Sequence, residues 1–151
     1  MYKCYKELLL EDYPSFLNKY LECPSIVRLK SVGYFCGMDY ASKDIYDFGE
    51  YISRFDHSLD VALITWKYTK DKTSTLAGLI HDIATPVFAH VIDYMNKDYA
   101  NQESTEEYTE KIVKSDCMLI NYLLEDGINI NEVIDFKKHS IVDNDSPKHT
   151  C

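Results

Sequence analysis

Leu76-Ala77-Gly78-Leu79-Ile80-His81-Asp82 is the stretch whose reading decides the fold. An apolar run ends on a histidine and an acid side by side. Upstream, Arg54-Phe55-Asp56-His57-Ser58 places a second histidine at the head of another patterned segment. From His57 to about Lys70, Leu59, Ala62, Leu63 and Trp66 recur at three- and four-residue steps, the pattern of an amphipathic helix. Lys67 and Lys70 put cations in its last turn, where the helix dipole favours them. Ser74 to His81 reads as the next helix. A histidine and an acid at one helix end, with a second histidine at the start of the preceding helix, is an arrangement that can hold a metal between packed helices.

Working outward, the period stays helical over most of the chain. Tyr2 to about Leu21 reads as a first helix, kinked at Pro14. Pro24 to Lys43, with Gly33 and Gly37 among Val27, Val32, Tyr34 and Phe35, reads as irregular or short-strand, and Asp47 to Arg54 as a connector. Thr85 can cap a further helix with Pro86 at its first position, where the missing N–H costs nothing. Phe88, Val91, Ile92 and Met95 follow on one face. Ser104-Thr105-Glu106-Glu107 fits a capping box opening a long helix to about Asp126, ended by Gly127. Asn131 to Lys138 is a last short helix, followed by a loop. The fold class is therefore all-α, and 151 residues make one domain the expectation.

Composition narrows the partners. The net charge of −9 argues against binding a nucleic-acid backbone. A phosphate-bearing ligand would need local positive charge, from a metal and from Arg28, Lys30 or Arg54. No segment approaches the roughly 20 apolar residues that cross a bilayer. Leu8-Leu9-Leu10 is too short for a signal-peptide core, so a soluble, cytoplasmic protein is expected. Cys4, Cys23, Cys36, Cys117 and Cys151 are odd in number and form no CxxC pair, which points to reduced thiols and away from a thiolate zinc site.

Imidazole nitrogen together with carboxylate oxygen suits a divalent transition metal. Successive helical residues point about 100° apart, so His81 and Asp82 reach one ion only where the chain is turning at the helix end. The bland reading stands beside this one: histidine at a helix C-terminus is favoured by the dipole alone. Glu106, Glu107 and Glu110 with Lys111 and Lys114 likewise read as a solvated, charge-paired helix face.

Three stretches taken together are more specific. Arg54-Phe55-Asp56-His57-Ser58-Leu59-Asp60-Val61, Ala77-Gly78-Leu79-Ile80-His81-Asp82-Ile83 and Phe88-Ala89-His90-Val91-Ile92-Asp93 resemble the HD-domain superfamily over about residues 25 to 115. The likeness is greatest to its deoxynucleoside triphosphate triphosphohydrolase-like branch. Arg28-Leu29 and Gly33-Tyr34 resemble the stretch before the first motif. The resemblance implies an HD-type helical bundle and a metal-dependent phosphohydrolase. It would act on a nucleotide or other phosphoester or phosphoanhydride through metal-activated water. It implies His57, His81 and Asp82 as ligands of a divalent ion (Mn, Mg, Zn, Fe, Ni or Co). His90 would line the phosphate pocket, Asp93 would be an auxiliary acid, and Arg54 would contact phosphate or support the site.

The departures from the pattern are equally concrete. Thr85 stands where the branch carries a catalytic histidine, and Glu106-Glu107 where it carries His-Glu. Glu106 is then a candidate base or second-metal ligand. The family's fourth ligand is a late aspartate. Asp116 has the wrong neighbours for it, Asp135 lies on a short helix, and Asp143 and Asp145 lie in the last loop. The expectation is a chain lacking the C-terminal helices that would supply it. The alternative function is a catalytically impaired HD module that binds a nucleotide or a partner protein for regulation, and a helical domain without metal is a third reading. A homo-oligomer is left open.

Overall fold

The structure, a computed structural model, describes residues 9–47, 49–87 and 103–134, with the side chains of 103–107 left out. Its helices are α1 (Leu17–Tyr20), α2 (Pro24–Val27), α3 (Arg54–Thr69), α4 (Lys72–Ile80), α5 (Glu103–Ser115), α6 (Cys117–Glu125) and α7 (Ile130–Ile134). Among the described residues there is no strand, only an isolated antiparallel bridge between Gly33 and Ser53. The all-α class is observed.

Several boundaries differ from the sequence expectation, each for a local reason. The described part of the first segment is not one kinked helix. It turns at Leu10–Tyr13 and becomes helical again only at Leu17, whose N–H bonds Pro14 O. Proline removes an N–H and pushes its predecessor out of the helical region, so the kink is a break. Helix α3 starts at Arg54, three residues before His57. Ser53 accepts from the Asp56 N–H while the Asp56 carboxylate takes the Ser53 N–H, a reciprocal box that satisfies two orphan donors. The expected long helix is two helices. Asp116 Oδ1 accepts from the N–H groups of Met118 and Leu119, capping α6 and ending α5. Ser104 lies inside α5, not ahead of it.

The irregular reading of 24–43 holds in most of its length: a helical turn, two 3₁₀ turns (Arg28–Ser31 and Met38–Tyr40) and the single bridge. Gly127 ends α6 as expected, at φ +70°. Its N–H bonds Leu124 O and the Ile128 N–H bonds Leu123 O, the paired pattern of a left-handed C-terminal cap. The helix expected after Thr85 and Pro86 falls on residues outside the described set.

Packing centres on α3 against α4. Ala62 and Leu63 meet Leu76, Ala77, Leu79 and Ile80, all buried. The helices come close because Gly78 has no side chain: a Cβ there would stand 3.2 Å from Thr65 Oγ1 and 3.3 Å from Val61 Cγ1. Leu17, Tyr20 and Ile26 close one side of this core, and Leu119, Leu123 and Val133 extend it. Asp126, at the end of α6, accepts from the Tyr20 hydroxyl at 2.6 Å and pairs with Lys19 and Lys72. The tight α3–α4 contact sets the distance between His57 on the first turn of α3 and His81 at the end of α4.

Candidate metal centre

His57 is carried on the first turn of α3, which the Ser53–Asp56 box holds in place. His81 is the C-terminal cap residue of α4, still in helical conformation at φ −51° and ψ −37°. Beyond it the chain turns twice, with the Ile83 N–H on Ile80 O at 2.8 Å and the Thr85 N–H on Asp82 O at 2.9 Å. That turning lets adjacent residues face one point. His57, His81 and Asp82 each offer an atom lying within 4.8 Å of the other two. The two imidazoles are edge to face, with centroids 5.2 Å apart.

The donor set fits a cation. His81 Nδ1 lies 2.7 Å from Gly78 O, and since a carbonyl only accepts, Nδ1 is the donor of that bond. Its other ring nitrogen, Nε2, faces Asp82 Oδ2 at 3.5 Å. His57 Nε2 is 3.7 Å from the same oxygen. Two imidazole nitrogens facing one carboxylate oxygen suit a positive charge among them, a proton or a metal ion. Protonation of His57 does not readily supply that charge. Burial lowers its pKa, the Asp82 carboxylate offsets this only in part, and His81 and Arg54 lower it further. Burial pushes the Asp82 carboxyl up, but His81 and Arg54 together hold it below the usual range, so it is anionic at neutral pH. The three side chains are 19–29% exposed, open enough for an ion to enter.

Arg54 is buried, and its Nη1 donates to Asp82 Oδ2 at 2.9 Å. Its Nη2 lies 3.8 Å from Cys36 Sγ, and its Nε has no hydrogen-bond partner among the described residues. Arg28, expected among the cations for a phosphate, instead donates to the carbonyls of Ile83 and Thr85 at 2.7 and 3.1 Å. It ties the 3₁₀ turn at 28–31 to the turn carrying Asp82. Lys30 sits over the Phe55 ring, 4.6 Å from its centroid.

Of the residues expected at the site, His57, His81, Asp82 and Arg54 come together. His90 and Asp93 lie outside the described residues, as do Asp135, Asp143 and Asp145, and the Glu106 side chain is not described. Asp116 does not join the cluster. Its Oδ2 accepts from the Ser25 N–H and hydroxyl at 2.9 and 2.5 Å, and its Oδ1 caps α6. Sequence reasoning missed the latch made by Arg28 and the contact of Tyr34 with His57, whose ring centroids are 4.9 Å apart. No periodicity marks either, because both come from the irregular segment. Among the described residues Cys23, Cys36 and Cys117 are free cysteines, and Cys4 and Cys151 lie outside them.

Comparison with known proteins agrees with this geometry. Over 98 residues, 64% of the chain, it is 24% identical to a protein of Bacillus subtilis (strain 168) described as the uncharacterized protein YdhJ. The matched stretch spans 30% of that relative's length. No solved structure matches. The model of the HD domain matches residues 54–139, more than half of the chain, beginning at Arg54 and taking in both histidines and Asp82. The chain belongs to the HD-domain family.

Proposed function

We propose that the chain is a metal-dependent phosphohydrolase acting on a nucleotide or another phosphoester or phosphoanhydride. The observation that carries this is the convergence of His57, His81 and the Asp82 carboxylate within 4.8 Å. Imidazole and carboxylate donors together suit a divalent transition metal. His57, His81 and Asp82 would hold the ion, with a fourth donor from another segment completing the family set. A bound divalent ion polarises a phosphate oxygen and makes water a nucleophile near neutral pH. Arg54 steadies Asp82 and, together with the ion, provides the local positive charge that a chain of net charge −9 needs to attract a phosphate. By the resemblance, His90 would line the phosphate pocket and Asp93 would match the acid that helps position a catalytic histidine in the branch, while Glu106 would act as a base or second-metal ligand.

One observation favours the regulatory alternative. Thr85, in place of the branch's catalytic histidine, is buried, with its carbonyl held by Arg28. A position used this way serves the turn rather than a substrate. The reaction specific to the triphosphohydrolase branch is the part this weakens.

The test is metal analysis of protein purified without chelator, followed by phosphate release from nucleoside mono-, di- and triphosphates and simple phosphoesters with added Mn²⁺ or Co²⁺. Stoichiometric metal with metal-dependent release that is lost in His57→Ala and Asp82→Ala is the expected result. Stoichiometric metal without hydrolysis of any compound would leave the regulatory module. Absence of bound metal would remove both readings.

A further inference from the structure

We infer that Tyr34 is a positioning residue of the metal centre, one aromatic ring that fixes both the His57 imidazole and the guanidinium holding Asp82. The inference rests on the metal reading of the site and not on hydrolysis. The Tyr34 ring centroid is 4.9 Å from that of His57, at an interplanar angle of 46°. The Arg54 guanidinium carbon lies 5.0 Å from the same centroid, within the range where the negative face of a ring attracts a cation. Arg54 and His57 are three residues apart on α3 and so occupy neighbouring places on one face. A single ring beside that face touches both.

The backbone around Tyr34 is fastened at several points. Its N–H bonds Ile52 O at 3.0 Å, and the Arg54 N–H bonds Val32 O at 2.7 Å, flanking the Gly33–Ser53 bridge. The Phe35 N–H bonds Asp39 Oδ2 at 3.0 Å, and the Tyr40 hydroxyl donates to Ser31 O at 3.1 Å. Gly33 is needed for this closure, since a Cβ there would lie 2.3 Å from Asp39 Oδ2. Residues 31–40 thus form a strap closed on itself and pinned to the first turn of α3. Tyr34 remains 36% exposed, so the ring is not a core element whose loss would collapse the fold. Its ring contacts are with His57 and Arg54 of the site and with the adjoining Phe35 ring. Groups that orient metal ligands from outside typically control metal affinity by about 10–100-fold.

The experiment measures Mn²⁺ affinity by calorimetry and the visible spectrum of the Co²⁺-loaded full chain. Tyr34→Leu keeps comparable bulk and removes the ring. It should weaken Mn²⁺ binding by about tenfold or more and alter the Co²⁺ spectrum. Tyr34→Phe keeps the ring and should match wild type in both. Gly33→Ala leaves the ring but displaces the strap, and should weaken binding in the same direction. If Tyr34→Leu does not fold, as judged by circular dichroism, the comparison of Gly33→Ala with wild type decides. Wild-type affinity and spectrum in Tyr34→Leu would overturn the inference, as would a Tyr34→Phe variant as weak as Tyr34→Leu. A wild-type chain that binds Mn²⁺ but hydrolyses nothing removes only the hydrolase reading. One that binds no ion removes both.

Discussion

Arg54 and Asp82, 28 residues apart, are joined by a 2.9 Å ion pair from Nη1 to Oδ2, and that same oxygen faces both imidazoles. The guanidinium and both imidazoles thus meet at one carboxylate oxygen. Asp82 is thereby held ionised, with its pKa below the usual range despite its burial. The pair also links the start of α3 to the turn after α4, so it belongs to the fold as well as to the site.

That double role predicts non-additive mutations. Arg54→Met leaves a half-buried carboxylate without its partner and should cost about 3 kcal/mol, the lower end for breaking a buried pair. Asp82→Asn leaves a buried guanidinium and should also destabilise. The double variant should cost clearly less than the sum, because neither charge remains orphaned. Urea unfolding in the presence of chelator measures all three. Additive costs would show that the two side chains do not depend on each other.

The close of α6 makes a simpler test. Gly127 sits at φ +70° with no atom near enough to obstruct a Cβ. Gly127→Ala should therefore lose about 1 kcal/mol from backbone strain alone. Metal binding should be unchanged, since nothing at the site touches this turn. A stabilised variant would mean that the left-handed cap is not what ends the helix.

The helices that carry the site were legible because apolar spacing is a property of the segment itself. Leu59, Ala62, Leu63 and Trp66 mark α3 whatever surrounds it. The expected start of α3 is three residues late because Asp47 to Arg54 reads as connector and the helical spacing is counted only from His57, although Ser53 followed by Asp56 is itself a capping signal. The break at Asp116 was not legible. Met118, Leu119 and Leu123 continue the apolar pattern, and what stops α5 is a carboxylate held by Ser25 from 91 residues away. The candidate metal donors were legible because the two motifs keep histidine and acid at fixed places at the ends of two helices. Their support was not, since Arg28 and Tyr34 reach the site from a segment without periodicity.

The Asp116 carboxylate predicts a pH dependence. Burial pushes its pKa up, but the side-chain and backbone bonds from Ser25 and the N–H groups of Leu119 and Met118 more than offset this, and the net shift is downward. A carboxyl whose pKa is lower folded than unfolded stabilises the fold above its unfolded value, about 3.9. That contribution is lost as pH falls through the folded value. Stability should thus decline below about pH 4, and less steeply in Asp116→Asn, which has no charge to lose. Asp116→Asn should itself cost about 1–3 kcal/mol at pH 7, because its single amide oxygen cannot accept both from Ser25 and from the N–H groups of Met118 and Leu119. Urea midpoints from pH 3 to pH 7 test this, and parallel pH curves for the two proteins would refute it.

Metal and stability should be coupled through His81. An ion that binds the folded chain alone stabilises it by about 2.7 kcal/mol at a concentration one hundred times its dissociation constant. Wild type should therefore melt at a higher temperature with Mn²⁺ than with chelator. His81→Ala removes one ligand and also the Nδ1 bond to Gly78 O that orients it. It should lose the metal-dependent increase and fall by about 1 kcal/mol even in chelator. Asp116→Asn, outside the cluster, should keep the increase on its lower baseline. The pattern separates ligand loss from general weakening: only a ligand variant uncouples melting from Mn²⁺. A His81→Ala protein that still gained stability from Mn²⁺ as wild type does would place the ion elsewhere.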